Sequence, residues 1–136
     1  MSRRARVLFL KGRGESYNPI MSSLARSAAV ESVGTLAAFK KATAARGYEA
    51  IFCTARFPGG TYADLLRILR QQRLDLPVIV CSLRGGDREW VQALERGAFD
   101  LLVFPFHRST VAKVLEEALE SREVLGFTPR NRSLSA

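Results

Sequence analysis

Four short apolar runs mark the chain: RVLFL at 6–10, AIFCT at 50–54, PVIVCS at 77–82 and DLLVF at 100–104. None alternates polar with apolar residues, so each predicts a strand covered on both faces, as in a parallel sheet between two layers of helices. A weaker run, AAVESV at 28–33, predicts a fifth strand. The segments between carry helical spacing. NPIMSSLARS begins with Asn18 as predicted N-cap and Pro19 at the first helical position, where a missing N–H costs nothing. A second helix is expected from Thr35, with Gly47 as its stop. Thr61 and Asp64 have capping-box spacing, and Leu65, Leu66 and Leu69 then give an apolar face. Asp87 is the predicted cap of a helix with Trp90, Val91 and Leu94 on one side and Gly97 at its end. Ser109 or Thr110 is expected to open the last helix, where Val111, Val114, Leu115, Ala118 and Leu119 recur at helical spacing. The closing GFTPRNRSLSA has no period and is expected to fray.

Strand and helix thus alternate five times. Right-handed crossovers put helices on both faces of the sheet, which predicts an α/β, doubly wound, five-stranded parallel sheet of (βα)5 flavodoxin-like type with strand order 2-1-3-4-5. The expected organisation is a basic N-terminal arm at 1–5, one domain at 6–121 and a flexible tail at 122–136. Ligands of such sheets sit beyond the carboxyl ends of the strands, near the switch between strands 1 and 3. That singles out Lys11, Gly12, Thr54, Ser82 and Phe104.

Composition refines this picture at three points. At 136 residues and 47% hydrophobic, the chain suits one core, and it has no apolar run near the roughly 18 residues that span a bilayer. With no signal-peptide pattern at its start, the expectation is a cytoplasmic protein without a membrane partner. Cys53 and Cys81 lie in apolar runs, outside any metal-ligand spacing, and read as buried free thiols; no cofactor is expected. The net charge of +8 sits mostly at the ends: residues 1–14 carry Arg3, Arg4, Arg6, Lys11 and Arg13 with no acid, and the last segment adds Arg130 and Arg132. A near-neutral body with basic ends is a weaker nucleic-acid signature than a basic stripe on one helix. Arg3, Arg4 and Arg6 are the residues through which weak nucleic-acid binding would run.

YEAIFCTARFPGGTYADLLRILR, LPVIVCS and ALERGAFDLLVFPF together resemble the receiver domain of two-component response regulators, the CheY-like family, in order and spacing. The resemblance covers residues 6 to about 121 and is strongest from Tyr48 to Phe106. It implies a set of working positions. The family's acidic pair aligns with Lys11 and Gly12, its phospho-accepting aspartate with Thr54, its hydroxyl after strand 4 with Ser82, its lysine with Phe104 and its aromatic switch with Leu101. Only the hydroxyl survives, so the resemblance implies a degenerate pseudo-receiver pocket that holds no Mg²⁺, because a hard cation wants carboxylate oxygens. It also implies a cis peptide at Phe104–Pro105. Phe104 itself reads as a plug, because lost charged groups leave space that an apolar side chain can occupy, with an exposed aromatic for a partner as the alternative. A hydroxyl without an adjacent base is a poor nucleophile, so no catalytic residue and no enzyme activity are expected.

The remaining candidates carry less. KGRGES at 11–16 reads as a flexible turn, although beside Lys11 it also offers an anion site; its Gly12 and Gly14 lack the third glycine of a dinucleotide loop. His107, the only histidine, has no ligand-spaced neighbour and reads as a surface residue. The expected function is a phosphorylation-independent, stand-alone signalling module of phosphorelay type. It would engage a protein partner or a second copy through the face of helix 4, strand 5 and helix 5. The alternatives are a nucleic-acid-associated regulator using the basic ends and an anion or small-ligand sensor at Lys11.

Overall fold

The computed structural model describes residues 4–12, 17–83 and 85–125. Along the chain these form β1 (Ala5–Leu10), α1 (Asn18–Ser27), β2 (Ala28–Val33), α2 (Leu36–Ala44), β3 (Ala50–Thr54), β4 (Arg56–Phe57), β5 (Gly60–Thr61), α3 (Tyr62–Gln71), β6 (Val78–Ser82), α4 (Asp87–Glu95), β7 (Asp100–Val103) and α5 (Arg108–Leu125). Five strands make one parallel sheet in the order β2-β1-β3-β6-β7. With the β4–β5 hairpin set aside, this is the order 2-1-3-4-5 expected from the sequence. The hairpin was not foreseen, since two two-residue strands are too short to leave a period.

The unbroken apolar runs are explained by a core on each face. Val7, Phe9, Phe52, Ile79 and Cys81 point to one layer, where Ile20 and Leu24 of α1 meet Val111, Val114 and Leu115 of α5. Leu8, Leu10, Ile51, Cys53 and Val80 point to the other, against Phe39 of α2, Leu65 and Leu69 of α3, and Ala93 of α4. β2 lies at the edge and is half exposed, which is why its run is the weakest of the five. Cys53 and Cys81 are buried free thiols on opposite faces, and burial raises both pKa values.

Several ends differ from the sequence reading. Asn18 is not the N-cap of α1: Tyr17 holds that position, and Asn18 Oδ1 is taken by Lys11 Nζ at 2.7 Å. Asp87 lies inside α4, whose N-cap is Gly86; the Gly86 N–H donates to Glu89 Oε2 at 2.8 Å. α5 begins at Arg108, ahead of the expected Ser109 or Thr110, and runs to Leu125. α2 ends at Ala44, ahead of Gly47, and β7 stops at Val103. The expected start at Thr35 holds: Thr35 is the N-cap of α2, its Oγ1 accepting from the Ala38 N–H at 3.1 Å. So does the pair at the start of α3, where the Thr61 N–H donates to Asp64 Oδ2 at 2.9 Å. No helix among the described residues is long and apolar enough to cross a membrane.

Candidate functional site

The carboxyl ends of β1 and β3 converge, and there the chain closes on itself. The Thr54 hydroxyl is buried; it donates to the Arg56 carbonyl at 2.8 Å and accepts from the Gly12 N–H at 3.0 Å. Glycine is needed at 12 for a steric reason. A Cβ there would stand 2.8 Å from the Arg56 carbonyl oxygen and 3.1 Å from Thr54 Oγ1. Gly12, just after β1, therefore lies directly on the backbone just after β3, and the Thr54 hydroxyl holds the two together. Lys11 turns away: its backbone N–H donates to the Val33 carbonyl at 3.1 Å, and its ammonium reaches Asn18. Among the described residues the oxygens at this point are neutral and already bonded to each other or to backbone, a donor set that does not fit a hard divalent cation. Among the described residues no group of three or more His, Cys, Asp or Glu is placed to share a metal.

The other two predicted members sit higher. Ser82 ends β6, and its carbonyl accepts the Phe104 N–H at 2.9 Å. The Phe104–Pro105 peptide is cis. The plug expected at Phe104 is absent, however. Phe104 is 50% exposed and stands edge-on to Phe106, with ring centroids 5.7 Å apart. The space it was to fill is occupied by the Gly12 and Arg56 backbone, so an apolar side chain has nothing to displace. The inward aromatic is Phe106, which packs on the core and faces Tyr17 at 6.2 Å. Sequence reasoning passed it over, although its place after proline in VFPF sets it one step further along the turn.

A groove of about 620 Å³ lies between α4, β7 and α5, lined by Trp90, Val91, Leu101, Val103, Pro105 and Phe106 among others. Leu101, at the resemblance's switch position, is buried in its wall. Trp90 is set there by a buried carboxylate: its Nε1–H donates to Asp100 Oδ1 at 2.8 Å, and the Leu101 N–H donates to the same oxygen at 2.8 Å. The sequence marks Asp100 only as the first residue of a strand. His107 is exposed at the groove's end, as expected of a surface residue.

The basic N-terminus is tied to the fold more than the sequence suggested. The Arg4 guanidinium donates to the Ala25 carbonyl. Arg6 pairs with Glu31 at 2.9 Å and lies 4.6 Å over the Tyr48 ring, while the Tyr48 hydroxyl donates to the other Glu31 oxygen at 2.6 Å. Hydrogen bonds from Tyr48 and then Arg6 hold the Glu31 carboxyl below its ordinary value; burial and the Glu31 hydrogen bond raise Tyr48. Arg3, Arg130, Arg132 and the loop residues 13–16 lie outside the described residues.

Comparison with known proteins agrees with this architecture. No protein-family model matches the chain. It is 39% identical over 70 residues to the C4-dicarboxylate transport transcriptional regulatory protein DctD of Pseudomonas aeruginosa, a stretch covering 52% of this chain and 15% of that protein. It is 33% identical over 90 residues to the response regulator protein PilR of the same organism, covering 58% of this chain and 20% of PilR. The matches thus span a small part of each relative's length. Among solved structures, the beryllofluoride-activated NtrC4 receiver domain dimer superposes with a TM-score of 0.76 at 20% identity, covering 85% of this chain and 97% of that one. The signal receiver domain of NarL from Mycobacterium tuberculosis gives 0.77 at 20% identity, covering 89% and 100%. The fold is that of CheY-like receiver domains, and the relatives in sequence are two-component response regulators.

Proposed function

We propose that this receiver-fold chain is a signalling module that works by protein contact and is not switched by aspartyl phosphorylation. One observation carries the reading. The residue aligned with the family's phospho-acceptor is Thr54, and its hydroxyl is buried between the Gly12 N–H and the Arg56 carbonyl. Phosphoryl transfer in such sites rests on positioning and on cations that neutralise developing charge. Here the attacking group, the metal ligands and the space are all replaced by a closed backbone contact. The surface left for signalling is the α4, β7 and α5 face with its apolar groove, where Trp90 and Phe106 offer aromatic anchors of the kind that dominate interfaces. A protein partner or a second copy is the proposed occupant. The similarity to a receiver domain solved as a dimer supports the mode of contact. The test is intact-mass measurement after incubation with acetyl phosphate and Mg²⁺. The expected result is an unmodified chain, and a stoichiometric phosphate adduct mapped to residues 11–12 or 54 would overturn the proposal.

A further inference from the structure

A second groove, of about 320 Å³, lies between α1 and the start of α5 and adjoins the first across Phe106 and His107. Its remaining walls are more polar than those of the groove beside Trp90. Ser22, Ser23 and Arg26 of α1 lie on one side, and Phe106, His107 and Arg108 on the other. The spacing of 19, 22, 23 and 26 is i, i+3, i+4, i+7, so Pro19, both serines and Arg26 share one helix stripe facing the groove.

The charge here is uncompensated. Residues 17–27 and 101–115 contain no Asp or Glu, and among the described residues neither Arg26 nor Arg108 has a carboxylate partner. Arg26 sits in the last turn of α1, where a cation suits the helix dipole. Arg108 does not have that excuse. It is the first residue of α5, with no acid in that turn, at the end of a helix that favours anions and disfavours cations. Arg26 and Arg108 line the same concavity with like charge, and an anion bound there is attracted by both. Guanidinium forks and serine hydroxyls are donors matched to phosphate oxygens.

We infer that this α1–α5 groove binds the phosphate group of a small phosphate monoester, held by Arg26 and Arg108 with Ser22 and Ser23 as hydroxyl donors. A small ligand is favoured over a nucleic-acid backbone because the donors ring one short concavity, whereas a backbone calls for an extended track of cations. The inference is independent of whether Thr54 is ever phosphorylated.

The test is an amide NMR titration of the full chain at constant ionic strength, with inorganic phosphate, glycerol phosphate and a short DNA duplex as separate probes and chloride as control. Saturable shifts centred on residues 22–26 and 106–109 are expected with phosphate and glycerol phosphate. Arg26→Gln and Arg108→Gln should each weaken binding about tenfold or more, the double variant should abolish it, and Lys113→Gln should leave it unchanged. Both arginines are exposed, so the variants keep the wild-type melting temperature. Shifts that grow without saturating, that persist in the double variant or that chloride reproduces overturn the inference. Tighter binding of the duplex than of glycerol phosphate at equal phosphate concentration, lost in the double variant, overturns the assignment to a small ligand.

Discussion

Thr54 shows how one side chain decides what a site can do. Its hydroxyl both donates and accepts, and that dual capacity closes the space between two loops. Valine keeps the volume and loses both bonds, so Thr54→Val should destabilise the chain by about 1–3 kcal/mol through buried groups left unpaired. Aspartate in its place accepts from Gly12 but cannot donate to the Arg56 carbonyl when ionised. Thr54→Asp should therefore also melt lower, and it should gain no phosphate from acetyl phosphate, since the metal ligands are still missing. Gly12→Ala should cost about 1–3 kcal/mol by overpacking, because the atom its Cβ would meet is backbone and cannot swing aside. Denaturant melts of the three variants check these values. Wild-type stability for Thr54→Val and Gly12→Ala would show that the loops are not locked as described.

At the scale of elements, the amino-terminal edge of the sheet is fastened by Arg6 of β1, Glu31 of β2 and Tyr48 just before β3. Its pH dependence follows from the direction of each shift. Glu31 is lowered in the fold, so its contribution is present above the ordinary carboxylate pKa and is lost as pH falls through the folded value. Tyr48 is raised, so its contribution is present below the ordinary phenol pKa and is lost as pH rises through the folded value. Between those limits both act together. Thermal melts across pH should show the acid limb flattened in Glu31→Gln and the alkaline limb flattened in Tyr48→Phe. Unchanged limbs in both variants would mean that the cluster does not couple the strands. At the opposite end, the β4–β5 turn is docked on α2: the Leu36 N–H donates to the Pro58 carbonyl at 3.0 Å. Gly59, at φ 104°, lets Leu36 approach to where a Cβ would meet it at 2.9 Å.

For the molecule as a whole, the charge of +8 speaks of association, and its distribution limits what can be bound. Arg4 and Arg6 are engaged by the fold, so little of the described amino terminus is left for phosphates. Binding to duplex DNA should be weak and should be lost between about 50 and 200 mM salt. Arg6→Ala should lower the melting temperature as well as any such binding, because it removes one of the two partners named for Glu31 and the cation over Tyr48. Filter binding with a melt of the same variant checks both. Selective binding retained at physiological salt with Arg4 and Arg6 replaced would place a nucleic-acid function elsewhere on the chain.

The sequence by itself determined the sheet. Unbroken apolar runs at 6–10, 50–54 and 77–82 suit only strands covered on both faces, and five alternations with helical segments leave few topologies once crossovers are right-handed. It also showed which side-chain types stand at the strand ends, Thr54 and Lys11 among them, neither of them a carboxylate. Tertiary structure alone decided where those side chains go. Phe104 points outward because backbone already fills the space at Thr54, a long-range contact between Gly12 and Arg56 that no local period encodes. Asp100 sets Trp90, and Glu31 joins Arg6 to Tyr48, through hydrogen bonds between residues on different elements. Periodicity records which face of an element is buried; the partner met on that face is fixed only when the elements pack.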